Sequence, residues 1–209
     1  MRAETINSLS VFDSSALLLG IGLGLRHATD ADHVAVVSAL VQREPGPLRS
    51  IRIAVLWGLG HTTSFLGVGL LVMSAGVHFP AAFERCVSIL VAGMLIAFGA
   101  LHLARSPLDS RRLPSTTRPV AIGLVHGLAG SAGIALLAVT TVHSELCATV
   151  YLALFGVGTV LGMVALTLLM YWPIAWSARQ PRGVGLWFLR LPGLFSLGLG
   201  VLFGVEALT

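Results

Sequence analysis

The segment Arg26-His27-Ala28-Thr29-Asp30-Ala31-Asp32-His33 constrains this chain more than any other, because it lies within an apolar run from Ala16 to Val41. Such a run is long enough to cross a membrane. One arginine, two histidines and two aspartates within eight residues are costly at bilayer depth, each by several kcal/mol before partners are found. Since spanning a membrane requires none of these side chains, the cluster predicts a site for a cation.

The whole chain has the composition of a membrane protein. Of its 209 residues 56% are hydrophobic and 11% are charged, and the mean hydropathy is +0.90. Long, mostly apolar runs recur along nearly the whole length. The high isoelectric point does not indicate nucleic acid, because the chain has no lysine and its arginines gather in short loops. The sequence therefore predicts an all-α, polytopic protein whose surroundings are the lipid bilayer.

Six membrane spans are predicted from the apolar runs and the turn residues between them. The spans are about Ser14–Val41, Ile51–Ala75, Ala82–Ala104, Pro119–Thr141, Leu146–Ala175 and Gly185–Leu208. They form one transmembrane domain over 1–209, in which the polar loop 105–118 separates a first half, 1–104, from a second half, 119–209. We take residue 1 as the mature start, since the first apolar run has no small-residue cleavage site.

Arginines set the predicted orientation in the membrane. The loops after spans one, three and five carry Arg43, Arg49 and Arg52; Arg105, Arg111, Arg112 and Arg118; and Arg179 and Arg182. The opposite side has only Arg2 and Arg85. By the positive-inside rule the arginine-rich loops are cytoplasmic, in a bacterial plasma membrane, and both termini face outward.

The two halves of the chain resemble each other. Gly24-Leu25-Arg26-His27 aligns with Gly123-Leu124-Val125-His126, and Trp57-Gly58-Leu59-Gly60 aligns with Phe155-Gly156-Val157-Gly158. In the third pair of spans Arg85, Gly93, Phe98 and Gly99 match Arg190, Gly198, Phe203 and Gly204 at one constant offset. Because each half has three spans, the second must insert upside down. This predicts two inverted three-helix repeats with a substrate bound near the midplane.

The polar cluster of the first span allows two arrangements. On a regular helix His27, Asp30 and His33 share one face, whereas Asp32 points to the far side. His27 and His33 would lie about 9 Å apart along the axis, too far to bind one ion together. Either the helix is broken here, which the weak helix formers Thr29, Asp30 and Asp32 would allow, or the residues form two stations along a path.

Asp30 is either a further ligand or the partner of Arg26, four residues earlier on the helix. The structural alternative to a cation site is a buried Arg–Asp pair accompanied by two hydrogen-bonded histidines. One such pair would not need the other charges, so we favour the cation site.

Further candidates lie on the second and fourth spans. His61 is near the middle of the second span, where Thr62 and Thr63 offer hydroxyl groups to a ligand imidazole. A neighbour could also simply satisfy this histidine. His126 lies at the repeat position of the first span's leading histidine, with Ser131 nearby, and is a ligand, a gate or a structural residue.

The remaining histidines and the cysteines carry less weight. His102, near the cytoplasmic end of the third span, and His78 and His143, in outer loops, are expected to be solvated or interfacial, although an outer one could catch incoming ions. Cys86 and Cys147 form no C-x-x-C pair, so a redox or zinc-finger site is not indicated. They are either a disulfide on the outer side or, more simply, two unrelated small apolar residues.

The candidate ligands are imidazole and carboxylate groups, with no thiolate or thioether among them. This set suits Ni²⁺, Co²⁺, Zn²⁺ or Mn²⁺ and argues against a Cu(I) path. Because neutral imidazole and ionised carboxylate are the ligating forms, uptake of an ion should weaken as pH falls.

Three of these motifs resemble a known family. The segment Arg26-His27-Ala28-x-Asp30-Ala31-Asp32-His33 resembles the metal-recognition signature of the nickel/cobalt transporter (NiCoT) family, and Leu59-Gly60-His61-Thr62 is similar to an element of that family's next helix. The segment His126-Gly127-Leu128-Ala129-Gly130-Ser131-Ala132 looks like the shorter, six-helix relatives, often labelled urease-accessory or high-affinity nickel transport proteins. Together the resemblance covers most of the chain.

The resemblance implies a permease for nickel or cobalt ions, with His27, Asp32, His33 and His61 in metal recognition. We expect transport, most simply uptake, rather than catalysis, with the ion as substrate and no cofactor. The chain has no G-x-x-x-x-G-K-[ST] motif, so energy would come from ion gradients or a separate subunit. A homo-oligomer and metallochaperone or metalloenzyme-maturation partners are compatible with this interpretation.

Three rival functions remain open at this point. The same scaffold could export the ion. A membrane-embedded histidine-box metalloenzyme would need more closely spaced histidines near the cytoplasmic face than this chain offers. A thiol-electron conduit would need a cysteine in the first helix of each repeat, and this chain has none there.

Overall fold

The computed structural model describes residues 14–41, 46–75, 80–104, 117–128, 145–177, 179 and 182–209. Within these ranges every regular element is an α-helix. The helices are α1 (Ser14–His27), α2 (Ala31–Val41), α3 (Pro47–Ala75), α4 (Ala81–Ala104), α5 (Thr117–Leu128), α6 (Glu145–Ser177) and α7 (Arg182–Leu208). The prediction of an all-α protein is thus confirmed for the described part of the chain.

Helices long and apolar enough to cross a membrane account for most of the described chain. The four that meet this condition are Pro47–Ser74, Ala81–Ala104, Leu146–Ser177 and Arg190–Leu208. They fall on the predicted second, third, fifth and sixth spans, with ends shifted by a few residues. Helix α5 covers the start of the predicted fourth span, and the rest of that span lies outside the described residues. The chain is therefore an α-helical membrane protein.

The predicted first span is divided into two helices. Helix α1 has 14 residues and α2 has 11, so each is shorter than the about 20 residues that a crossing needs. The break is local and has a chemical cause. The Thr29 hydroxyl donates to the Arg26 carbonyl at 2.6 Å, and the His33 amide donates to the Asp32 carboxylate at 2.9 Å instead of continuing the ladder. The Asp30 carbonyl then accepts the first hydrogen bond of α2, at 3.0 Å.

Glycines let the helices approach closely. The most extensive packing joins α4 to α7, α3 to α5, and α1 to α6, and α3 also packs against α6. In lipid, where apolar burial between helices gains little, such glycine contacts are a main source of helix association. A Cβ atom at Gly24 would collide with the Phe155 carbonyl of α6, and one at Gly60 would collide with the Val120 carbonyl of α5.

These close contacts come in equivalent pairs under the sequence alignment of the two halves. Gly24 faces the Phe155 carbonyl and the Thr159 amide, and the aligned Gly123 faces the Trp57 carbonyl and the His61 amide. In the same way Gly158 faces Ile21 and the aligned Gly60 faces Val120. In the third pair, Gly58 faces Val160 and the aligned Gly156 faces Thr62. The packing of α1 on α6 therefore uses residues that align with those in the packing of α5 on α3, and the third pair joins α3 to α6 through aligned positions.

The outer surfaces of the helices suit a lipid environment. Leu18, Leu90, Leu161 and Trp172 are among the large apolar side chains that are more than half exposed. Both cysteines are free thiols, so the disulfide considered from the sequence is not formed.

A matched pair of substitutions on α1 tests the role of the glycine contacts. Gly24→Ala should destabilise the protein by about 1–3 kcal/mol, because the new methyl group meets α6 backbone that cannot move away cheaply. Gly22→Ala should be neutral or mildly stabilising, because nothing lies within 4 Å of its Cβ position. Unfolding of both variants in detergent, followed by circular dichroism, measures the difference. Equal midpoints for the two variants would contradict this account of the packing.

Candidate metal centre

Four histidine rings converge between α1, α2, α3 and α5. The centroid of the His33 ring lies 4.6 Å from that of His27, 5.0 Å from that of His61 and 4.8 Å from that of His126. The break after α1 is responsible for the first of these contacts, since an unbroken helix would separate the two residues by about 9 Å. Of the two arrangements considered from the sequence, the structure has the broken helix and the compact cluster.

Three of these histidines form a group with the geometry of a metal site. His27, His33 and His61 can each offer one ring nitrogen such that all three nitrogens lie within 4.8 Å of one another. Nε2 of His27 and Nε2 of His61 are 3.2 Å apart. Two nitrogens bound to one ion at about 2.0–2.1 Å would be separated by roughly 3.0–3.4 Å. The two rings share a hydrogen bond at this distance, and the same spacing fits an ion lying between them.

Two of these rings each contact an aspartate through Nδ1. Asp30 Oδ2 lies 2.8 Å from His27 Nδ1, and Asp32 Oδ1 lies 3.1 Å from His33 Nδ1. A carboxylate in this position accepts the Nδ1 proton, which fixes the tautomer and leaves Nε2 with a free lone pair. Both histidines thus present Nε2 as the ligand atom, with a carboxylate fixing each ring.

A second group overlaps the first. Asp32, His33 and His126 can also offer ligand atoms that all lie within 4.8 Å of one another. Oδ2 of Asp32 is 3.1 Å from Nε2 of His126, although the angle is not that of a hydrogen bond. His33 belongs to both groups, and Asp32 therefore touches two histidines through its two oxygens.

The cluster is buried and has nitrogens without protein partners. His33, His61 and His126 are each at most 2% exposed. His33 Nε2, His61 Nδ1 and both ring nitrogens of His126 make no hydrogen bond. Leaving such groups unpaired in a buried site is costly, and coordination of a cation would satisfy the nitrogens that carry lone pairs. The donor set and the burial therefore fit a divalent metal ion.

Aromatic rings close the cluster on two sides. The Phe155 ring lies 5.4 Å from the His27 ring and stacks on Phe65, with centroids 4.9 Å apart. Trp57 is fully buried, and its ring lies 5.4 Å from that of His33 and 5.8 Å from that of His126.

Trp57 and Phe155 align in the two halves of the sequence, and each contacts the aligned histidine of the other half. The sequence interpretation used these two residues only as repeat markers. Their contacts with the histidines were not predicted. The alignment of the two halves could have predicted them, because it places Trp57 and Phe155 at equivalent positions.

Several predicted site residues have other partners. Arg26 is exposed at the end of α1, and Asp30, considered as its partner or as a further ligand, bonds to His27. The Thr62 hydroxyl donates to the Gly156 carbonyl at 3.3 Å, and the Thr63 hydroxyl to the carbonyl one turn earlier at 2.7 Å. Neither of these bonds reaches an imidazole. Ser131, His78 and His143 lie outside the described residues.

Fold and site together define a helical membrane protein in which a cluster of histidines, three of them buried, and two aspartates is suited to a divalent cation. The sequence is 33% identical over 204 residues to the urease accessory protein UreH of Bacillus sp. (strain TB-90), an alignment that covers 90% of this chain and 89% of that protein. The chain belongs to the UreH family, the urease-accessory relatives of the nickel/cobalt transporters that the sequence motifs predicted. No protein-family profile and no solved structure matches the sequence.

Removal of a supporting carboxylate tests the arrangement of the centre. Asp30→Asn should weaken Ni²⁺ binding by about 10- to 100-fold, because His27 loses the acceptor that fixes its tautomer. Glu206→Gln, a matched change of an exposed carboxylate on α7, should bind like the parent. Isothermal titration of the purified proteins with Ni²⁺ measures both. Parent-like affinity of Asp30→Asn would show that this carboxylate does not support the centre.

Proposed function

We propose that the protein carries Ni²⁺ or Co²⁺ across the bacterial plasma membrane, as a permease whose substrate is the ion itself. The observation that carries the proposal is the three-histidine group, in which Nε2 of His27 and Nε2 of His61 face each other at 3.2 Å inside an apolar bundle. Buried imidazoles braced by carboxylates suit late first-row divalent ions. Nothing about helix packing would require four histidine rings to meet there.

In this proposal His27, His33 and His61 bind the ion, and Asp30 and Asp32 orient the first two. The sequence analysis expected Asp32 to be a ligand of this ion, whereas here Asp32 orients the His33 ring. The carboxylates sit on the Nδ1 side of their rings, which leaves the Nε2 side for the ion. The two negative charges beside the site also offset part of the charge of a divalent cation.

The architecture that we propose is one domain of six spans, built as two inverted three-helix repeats at 1–104 and 119–209 and joined by 105–118. The first repeat comprises α1–α4, and the second α5–α7. The paired glycine contacts support it, because α1 on α6 and α5 on α3 use aligned residues. A site at the crossing of the two repeats is where such transporters bind substrate, and the histidine cluster lies against helices of both.

We further propose that the arginine-rich loops face the cytoplasm, that both termini face outward, and that the ion moves inward. The positive-inside rule supports the orientation. An accessory role toward urease, which the relative's name states, would call for metal supply into the cell rather than removal. Proteins that receive the ion, such as metallochaperones or metalloenzyme-maturation factors, would then meet the cytoplasmic face.

Uptake of radiolabelled nickel into cells and proteoliposomes tests the proposal. The His61→Ala variant should lose about ten-fold or more of the uptake, because the ion loses one of three ligands. Ser74→Ala, a change on the exposed face of the same helix, should transport like the parent. Equal uptake by parent and His61→Ala would remove this histidine from the pathway. A fall in cellular nickel on expression would instead indicate an exporter.

The pH dependence of binding offers an independent check. Lowering the pH from about 7.5 to about 5.5 should weaken Ni²⁺ binding by about ten-fold or more, since protons compete with the ion for the imidazole nitrogens. Titration of purified protein at both pH values measures this, with circular dichroism to verify that the helices are intact. Affinity that is unchanged across this range would argue against imidazole ligands.

A further inference from the structure

His126 is the one histidine of the cluster that comes from the second half of the chain. It is 1% exposed, and neither of its ring nitrogens has a hydrogen-bond partner. Gly127, the next residue, packs directly on the His61 carbonyl, which holds the end of α5 against α3 at the level of the site. A buried imidazole that is held in place without a hydrogen bond at either nitrogen is poorly explained by packing alone.

The surroundings of His126 supply the remaining ligand atoms for an ion. Asp32 Oδ2 is 3.1 Å from His126 Nε2, and the His33 ring is 4.8 Å away between centroids. The three residues meet the same distance condition as the three-histidine group, whereas His27 and His61 do not join them. This group has a different composition, because a carboxylate oxygen takes the place of one imidazole.

We propose that Asp32, His33 and His126 form a second station, to which the ion passes from the three-histidine group. The inference rests on the proposed transport function and adds a step to it. His33 belongs to both stations, so the ion exchanges two ligands while one ring stays close to it. In this step the bonds to His27 and His61 break and bonds to Asp32 and His126 form. Two adjacent sites of comparable strength let an ion enter without being trapped.

The position of Trp57 indicates on which side of the membrane the second station lies. Trp57 contacts the rings of His33 and His126, and it also lines a pocket together with the buried side chains of Ser50 and Thr167. Ser50 lies in the first turn of α3, next to the arginine-rich loop. The second station therefore lies on the side of the proposed cytoplasmic exit, and the three-histidine group extends toward Phe155 on the other side.

The test combines Ni²⁺ binding and Ni²⁺ transport in the full-length protein. His126→Ala should keep Ni²⁺ binding within about three-fold of the parent, because the three-histidine group is untouched, yet lose about ten-fold or more of transport into proteoliposomes. Leu124→Ala, an exposed position two residues earlier on α5, should match the parent in both assays. Gel filtration and unfolding midpoints establish that each variant is folded.

Each outcome decides the proposal. Transport by His126→Ala at the parent rate would overturn it, and so would loss of Ni²⁺ binding, since His126 would then belong to the loading site. A second measurement uses His61→Ala, in which the ion should bind at the second station. X-ray absorption of this variant with Ni²⁺ should show one oxygen and two imidazole ligands. Adding His126→Ala to it should abolish this binding. Should the parent bind Ni²⁺ but transport none, the transport function fails, while the absorption measurement still decides whether the second station exists.

Discussion

The hydrogen bonds of the Asp32 carboxylate are the interactions on which the rest of the site depends. One oxygen accepts the His33 amide and the His33 ring, which ends the regular ladder between α1 and α2 and fixes the ring at the same time. The other oxygen faces His126. One side chain thus contributes to the break after α1, together with Thr29, orients a ligand and touches the second half of the chain. Without the break, His27 and His33 would be about 9 Å apart and could not share an ion.

The close glycine contacts provide the second constraint, because they determine where the helices cross. Gly24 and Gly158 bring α1 onto α6, and Gly60 and Gly123 bring α3 onto α5. In a membrane such backbone approach takes the place of the apolar burial that assembles soluble bundles. The two crossings are equivalent in contacts but not in chemistry: His61 of α3 aligns with Thr159 of α6, whose hydroxyl bonds within its own helix. The helix contacts of the two halves are thus equivalent, while the candidate ligands differ between the halves.

Much of the fold could be predicted from the sequence. Helices α3, α4, α6 and α7 follow from apolar runs punctuated by turn residues, and their bounds fall within a few residues of prediction. The histidines and aspartates were identified as a group because charged side chains are expensive inside an apolar segment. The sequence left open whether the first helix is broken, since the weak helix formers Thr29, Asp30 and Asp32 allow a break without requiring one. It also left Asp30 either as a ligand or as the partner of Arg26, and the pairing with Arg26 required the i,i+4 spacing of an unbroken helix.

The sequence by itself determined that this chain lies in a membrane, where its helices run and which side chains are too polar for their surroundings. Those properties depend on local composition and periodicity. Only the tertiary structure decided that His27, His33, His61 and His126 meet, which nitrogen each of the first two presents, and that aromatic rings close the cluster. The physical reason is that distances between side chains on different helices depend on the angle and depth at which the helices cross. These are set by backbone contacts between segments that are far apart in the sequence.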